Sequence, residues 1–438
     1  MLYDYIVVGL GPTGLSLALE LLDSNKTILF IESASEIGGC WKSRYIENKY
    51  FTEQSPKVLF KYGSTYFNKL LKYIDVEPHY KPVVKKMNRK MIKLTYNSLT
   101  VGDVLKILVY LIMYLFNLHD KNINVQNWCV HYKVSDNLRK LLSNLSIAYA
   151  NTPDKVKMEA FTRLSINLQK LYSVDQLSHQ NEWLDTIYKK IINHKHYTFL
   201  FDTTVKRINT TSSKVLNIQT TSNAYSASDY LFCIPIRQLY SICSFSNEHV
   251  QRNWFSNIDD FGYFTKMSSY TGLGFQLHFT EQMKDNGLCW SCRNDWTIVI
   301  YDKSNYLQVP SKDLTIKSVW SCVIVDLDTK SGYLNKSVNE CLTLEEIETE
   351  LTRQLTIEYG SEVKPKKITR SDNMFRQNSE WMAWDSSYSN SMGILKPKGK
   401  ISNLYSIGPH NIPDITLIDT AIQSAVQFCD THKIRRVF

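Results

Sequence analysis

The stretch "YIVVGLGPTGLSLALELL", residues 5–22, limits what this chain can fold into more than any other. A short apolar strand over 5–8 runs into Gly9, Gly11 and Gly14, helical spacing follows from Leu15 to Leu22, and "TILFIE" adds a second strand that ends on Glu32. Strand, glycine turn, helix and strand in that order open an α/β domain of the Rossmann-like, dinucleotide-binding kind. Gly9 permits the tight turn, Gly11 lets backbone amides approach a diphosphate, and Gly14 lets helix and sheet pack closely. The helix N-terminus offers its partial positive charge to the phosphates. Pro12 and Thr13, inside the turn, count with the glycines as cofactor-binding positions. A carboxylate at Glu32 accepts hydrogen bonds from adenosine ribose hydroxyls and repels a 2′-phosphate, which favours FAD or NAD over NADP.

The next segment, "ESASEIGGCWKS", separates those two. An NAD site needs no glycine pair after its acid, whereas Gly38 and Gly39, followed by Trp41, resemble the second fingerprint of FAD enzymes with the glutathione-reductase or amine-oxidase type of fold. Three further stretches resemble the flavin amine oxidase superfamily, which includes phytoene-desaturase-like enzymes and protoporphyrinogen oxidase. They are "YFTEQSPKVLF", "TTVKRI" with "DYLFCIP", and "NLYSIGPHNIPDITLIDTAIQSAVQF". The resemblance implies a Rossmann-like FAD-binding domain with an interleaved α+β substrate domain, Val205 on the adenine side, and Gly408 at the end of a strand leading to a helix that faces the flavin. It implies an FAD-dependent oxidoreductase that dehydrogenates a C–N or C–C bond, with dioxygen or another acceptor reoxidising the flavin.

Several positions depart from that pattern. Cys40 stands where many amine oxidases have arginine, Gly274 stands where many hold a lysine at the flavin N5, and Gly408-Pro409 replaces the usual Gly-Asp. "GGCW" is closer to the GG-x-W of flavin monooxygenases, but a second GxGxxG for NADPH is missing, which favours a flavin reduced by its own substrate. Three alternatives stay open: a redox-neutral enzyme of the UDP-galactopyranose mutase type, a non-catalytic FAD-binding protein, and an interaction protein like the Rab escort proteins, which share the fold without flavin. Candidate catalytic residues are few, because the isoalloxazine itself is the electron sink. His410 is placed to hydrogen-bond the ring or shuttle a proton, and Trp384 and Tyr388 fall where amine oxidases set aromatic rings over the substrate face.

Five segments are expected: 1–75, 195–250 and 401–438 for the FAD-binding domain, 76–194 as a helical substrate insertion, and 251–400 mainly as substrate domain. In the last helix Ile418, Ala421, Ile422, Ala425, Val426 and Cys429 repeat at the spacing of one packed face. Thr100 and Asp103 read as a cap pair for the apolar run 104–116, which is too short to span a bilayer. That run is expected to be a core or substrate-channel helix. The alternative is a peripheral membrane face, because "KPVVKKMNRKMIK" before it holds six basic residues and no acid. The simpler reading of the basic run is a solvated hairpin turning at Asn88-Arg89.

A net charge of +9 spread over 438 residues does not point to nucleic acid. The chain opens straight on its first strand without a targeting leader, so a cytoplasmic setting is expected. The nine cysteines, odd in number and scattered through apolar runs, read as reduced. "CWSC" at Cys289 to Cys292 lacks the second ligand pair that zinc needs, so no metal site is expected. A small molecule is the expected partner.

Overall fold

The computed structural model describes the chain apart from residue 1 and residues 55–56, 58, 61–63, 78–79, 83–98, 149–151, 167–173, 178–180, 255–257, 271, 284–287, 291–294, 305–312, 371–373, 384–386, 389–393, 414–417 and 435–436. Its first sheet grows outward from the strand Leu2–Val8. On one side lie Ile28–Ile31 and then Tyr197–Leu200, all parallel, with Val8 level with Ile31 and Ile31 level with Leu200. On the other side lies Ala224–Phe232, parallel to the first strand and flanked in turn by the parallel Leu404–Ser406. The antiparallel pair Val205–Thr210 and Val215–Thr220 completes the sheet beyond it.

Side chains on successive strand residues point to opposite faces, so a near-continuous apolar run means both faces are covered. That is what is found here. Val7, Ile28, Phe30 and Leu231 pack into a core shared with the helices Pro12–Glu20, Thr65–Tyr73, Glu182–Ile191 and Ile418–Thr431. Ile6, Val8, Leu29, Ile31, Tyr230 and Phe232 pack into a second core on the opposite face, beneath Ile236–Ser244 and Ile258–Ser268. The last helix buries all six residues of its predicted face, each worth roughly 1.5–3 kcal/mol relative to exposure for the larger side chains.

A second, antiparallel sheet runs in the order Leu288–Trp290, Ile298–Asp302, Ser318–Ile324, Leu273–Phe279, Lys367–Arg370. Phe275, Leu277 and Phe279 face the helix Leu344–Tyr359 and its Ile347, Leu351 and Leu355. The opposite parity, Gly274, Gln276 and His278, faces the segment that leaves the glycine pair. There the strand Tyr50–Thr52 and the residues after it dock through a buried polar seam. Thr52 Oγ1 and the Glu53 amide both donate to Gln276 Oε1 at 2.7 and 3.1 Å, Gln276 Nε2 donates to the Glu53 carbonyl at 2.8 Å, and Thr369 Oγ1 donates to the Phe51 carbonyl at 2.8 Å. A third unit of helices, Val101–Leu115, Val125–His131, Asp136–Ala148 and Met158–Ile166, has its own small core around Trp128.

Within the segment expected as insertion, Trp183, Leu184, Ile187 and Ile191 pack with the first sheet. Phe261, beyond 250, belongs to the core on that sheet's other face. The apolar run 104–116 is not a core helix: it caps as expected, with Thr100 Oγ1 accepting from the Asp103 amide at 3.1 Å, but Leu105, Leu108, Ile112 and Leu115 are exposed. The hairpin expected at Asn88-Arg89 lies outside the described residues.

Candidate functional site

The glycine loop shows three different demands on its three glycines. Gly9 has φ +96°, and a Cβ there would stand 2.8 Å from the Cys233 carbonyl oxygen. At Gly14 a Cβ would come 2.0 Å from the Gly9 carbonyl oxygen, so helix and turn touch backbone to backbone. Gly11 differs from both: its φ is −73°, which any residue adopts, and a Cβ there would meet nothing within 4 Å. The open space in front of Gly11, at the mouth of a helix that begins on Pro12, is where a diphosphate would lie. Thr13 turns the other way and donates its hydroxyl to the Ala421 carbonyl at 3.2 Å, tying the first helix to the last.

The glycine pair is seated directly on this loop. The Gly38 amide donates to the Leu10 carbonyl at 2.9 Å, and both glycines occupy the left-handed region, with φ +111° and +53°. A Cβ on Gly39 would lie 3.2 Å from the Gly11 Cα, and one on Gly38 would lie 2.8 Å from Leu184 Cδ1. Both features demand glycine at these two positions. Cys40 and Trp41 continue as a single helical turn, and the Trp41 ring packs near Phe67 and Trp183, with centroids 6.3 and 6.5 Å apart.

Glu32 closes the opposite rim. Its Oε2 accepts from the Leu10 amide at 2.7 Å, and its Oε1 accepts from the Ala34 amide at 2.9 Å and the Ser33 hydroxyl at 3.2 Å. A ribose at this rim would meet the same carboxylate, whose oxygens only accept hydrogen bonds. The Thr203 amide donates to the Glu32 carbonyl at 2.9 Å, which brings the start of the Val205 strand beside the same rim. Val205 itself is buried in the core. Gly9, Gly11, Gly14, Glu32, Gly38, Gly39 and the start of the Val205 strand are thus brought together at one end of the first sheet, where they could hold the adenosine diphosphate half of a dinucleotide.

The expected catalytic positions fare differently. His410 is buried, its Nε2 lies 2.7 Å from Ser406 Oγ, and burial pushes its pKa down to about 3. Burial keeps this imidazole neutral, and it packs on Gly408, where a Cβ would meet His410 Cε1 at 2.6 Å. Gly408 is extended, so it is the His410 ring that requires glycine here. Trp384 lies outside the described residues. Tyr388 sits on the short strand Ser387–Tyr388 opposite Ser269. Of the amides near 416–419 at the start of the last helix, expected to face the flavin, those of 416 and 417 also lie outside the described residues. Asp419, just after them, accepts from the Phe67 amide at 2.8 Å. Cys289 is on the strand Leu288–Trp290 and Cys292 is not among the described residues.

Sequence reasoning passed over a charged cluster next to Trp41. The Lys57 ammonium stands 5.9 Å from the Trp41 ring centroid, with Lys57 nearly wholly buried. Beyond it, Lys303 Nζ pairs with Glu53 Oε1 at 3.0 Å, both side chains fully buried, and desolvation lowers the Lys303 pKa. Glu53 and Lys57 were visible inside "YFTEQSPKVLF" as charges in an apolar setting, but only the folded chain brings Lys303 to them.

The structure also accounts for Gly274. A Cβ there would be 1.8 Å from the Gln54 carbonyl oxygen and 2.6 Å from its carbon, so the backbone after the glycine pair fills the place where a side chain would start.

Residues 7–84 match the model of the NAD(P)-binding Rossmann-like domain. No curated protein matches the sequence. Among solved structures, an oxidoreductase from Methanosarcina mazei is 13% identical with a TM-score of 0.68, over 98% of this chain and 100% of that one. Cyclohexylamine oxidase from Brevibacterium oxydans is 12% identical with a TM-score of 0.67, over 99% and 100%. A putrescine oxidase bound to putrescine is 11% identical with a TM-score of 0.68, again over 99% and 100%. At such identities the likeness speaks to architecture, and the chain has the amine-oxidase type of fold from end to end, as its motifs predict.

Proposed function

We propose that this protein is an FAD-dependent oxidoreductase that removes two electrons from a C–N or C–C bond of a small organic molecule, with dioxygen or another acceptor completing the cycle. The observation that carries the reading is the seating of Gly38 and Gly39, both left-handed, against Leu10 and Gly11. An NAD site has no need of this second layer of backbone on its phosphate loop. The fold shared with cyclohexylamine oxidase and putrescine oxidase supports the same choice.

The residues of this chain take distinct parts. Gly9, Gly11 and Gly14 with the helix from Pro12 receive the diphosphate, and Glu32 receives the ribose. Trp41 continues from the glycine pair, and the Lys57 ammonium beside it supplies a positive charge in a setting that excludes water, where it acts more strongly than it would in solvent. The second sheet, joined to this segment by the Gln276 and Thr369 hydrogen bonds, forms the other wall. When bound, a flavin would supply the hydride acceptor. The chain contributes orientation and a dry pocket, and no proton shuttle by His410 is called for.

The test is anaerobic mixing of purified protein with candidate reductants: primary and secondary amines, polyunsaturated hydrocarbons and sugar nucleotides. Bleaching of a flavin spectrum by one class is the expected result. A protein that binds flavin but is reduced by none of these, while catalysing an isomerisation of a sugar nucleotide with chemically reduced flavin, would overturn the oxidoreductase reading in favour of the redox-neutral one.

A further inference from the structure

The helix Val101–Leu115 has two opposed faces. Its inward side is anchored firmly: Asp103 accepts from the Thr100 amide at 3.0 Å and from the Ser135 amide at 3.0 Å, Lys106 Nζ donates to the Lys133 carbonyl at 2.9 Å, and Tyr110 meets Trp128 edge-on at 5.7 Å. Its outward side is apolar throughout. Val101, Leu105, Leu108, Ile112 and Leu115 are 78, 57, 49, 55 and 74% exposed, and Phe116 just beyond is 71% exposed. With about 100° per residue, these positions together with Val104 and Val109 sweep an arc of about 140° that contains no charged or polar side chain. Isolated exposed leucines are ordinary; a contiguous face of this size marks a contact surface.

Charge selects what that surface meets. The chain leading toward the helix, from Lys81 to Lys93, holds Lys81, Lys85, Lys86, Arg89, Lys90 and Lys93 and no acidic residue. A two-fold contact between copies pairs like with like, and this stretch of sequence carries no acid to meet its own bases. The arc is also broader than the narrow seam by which two helices zip together. An anionic bilayer surface meets both conditions, since it accepts a broad apolar face at the level of its acyl chains and attracts lysines and arginines to its headgroups. A helix of 15 residues is about 22 Å long, too short to cross a bilayer. Among the described residues no helix is long and apolar enough to cross a membrane.

We propose that the face of Val101–Leu115 lies flat in an anionic membrane surface and holds the protein there reversibly. The proposal rests on the exposed face and the charge of its flank, independently of the flavin reading.

The test uses the full chain and sedimentation with phosphatidylcholine vesicles, with and without phosphatidylserine, at low and at physiological salt. Binding to the phosphatidylserine vesicles, weakened by salt, is expected. The double variant L108E/I112E, whose positions are exposed and leave the inner core untouched, is expected to bind at least tenfold more weakly while keeping its circular dichroism and thermal midpoint. Lys85→Ser with Lys86→Ser is expected to bind more weakly and to lose part of the salt dependence. Wild-type protein that sediments with neither vesicle overturns the proposal, as does a double variant that binds as well as wild type. A wild-type dimer in light scattering that L108E/I112E converts to monomer, without vesicle binding by either, also overturns it and assigns the face to a contact between copies.

Discussion

Gly11→Ala separates a binding role from a folding role within one loop. The backbone there is already in a region open to alanine, and a Cβ would meet nothing within 4 Å. The variant should therefore be as stable as wild type, or more stable by about 0.4–1 kcal/mol through the lower entropy of its unfolded chain. The new methyl projects into the space assigned to the diphosphate. Amide-to-phosphate hydrogen bonds require about 2.9 Å between heavy atoms, and charge-assisted ones are worth about 1.5–3 kcal/mol each. Holding the phosphates off costs one or two of these, about 3 kcal/mol, which is roughly a hundredfold in Kd. Gly14→Ala is the counterpart: its Cβ would press to 2.0 Å from the Gly9 carbonyl, so it should lower stability by at least 1–3 kcal/mol before any ligand is added. The assay is FAD titration followed by flavin fluorescence, paired with urea unfolding of the flavin-free protein. If Gly11→Ala bound FAD as tightly as wild type, or lost as much stability as Gly14→Ala, the assignment of that space would be wrong.

Three further outcomes follow from buried groups. Glu32→Gln leaves one of the two amides it now satisfies, Leu10 or Ala34, facing an NH2 group, so FAD binding should weaken by about 2 kcal/mol, roughly thirtyfold, in the same titration. Gly274→Ala should cost at least 1–3 kcal/mol in urea unfolding, because the Gln54 carbonyl is backbone and cannot swing aside. His278 is buried with Nε2 3.0 Å from the Phe51 carbonyl, and its pKa is pushed down to about 4. The unfolded chain therefore takes up a proton that the folded one refuses. Stability contributed by the neutral ring is present above about pH 6.5 and is lost as pH falls toward 4, by about 3 kcal/mol in all. His278→Gln should show a shallower loss between those limits in urea unfolding at successive pH values.

The close grouping of Gly9, Gly11, Gly14 and Glu32 was legible in the sequence. Local spacing alone places Gly9, Gly11, Gly14 and Glu32, because a strand, a tight turn and a helix N-terminus are all short-range structures. Gly38 and Gly39 were readable by resemblance, and their left-handed φ values supply the physical reason for it. What remained hidden depends on long-range packing. Nothing near Gly274 in the chain hints that Gln54 lies against it, and nothing near Lys303 hints at Glu53. His410 looked exposed because it follows a glycine in a loop, yet it is buried against Ser406 and burial keeps it neutral. The run 104–116 looked like core because of its composition; only the packed structure shows that its core-facing side is the narrow strip around Asp103 and Tyr110.

Titration of flavin-free protein with FAD and, separately, with NAD and NADP tests the central claim most directly. Stoichiometric uptake of FAD with a raised thermal midpoint, and no comparable binding of either nicotinamide dinucleotide, is predicted by Gly38 and Gly39 seated on the loop and Glu32 at its rim. A folded protein that takes up no FAD, or that binds NAD in its place, would contradict it.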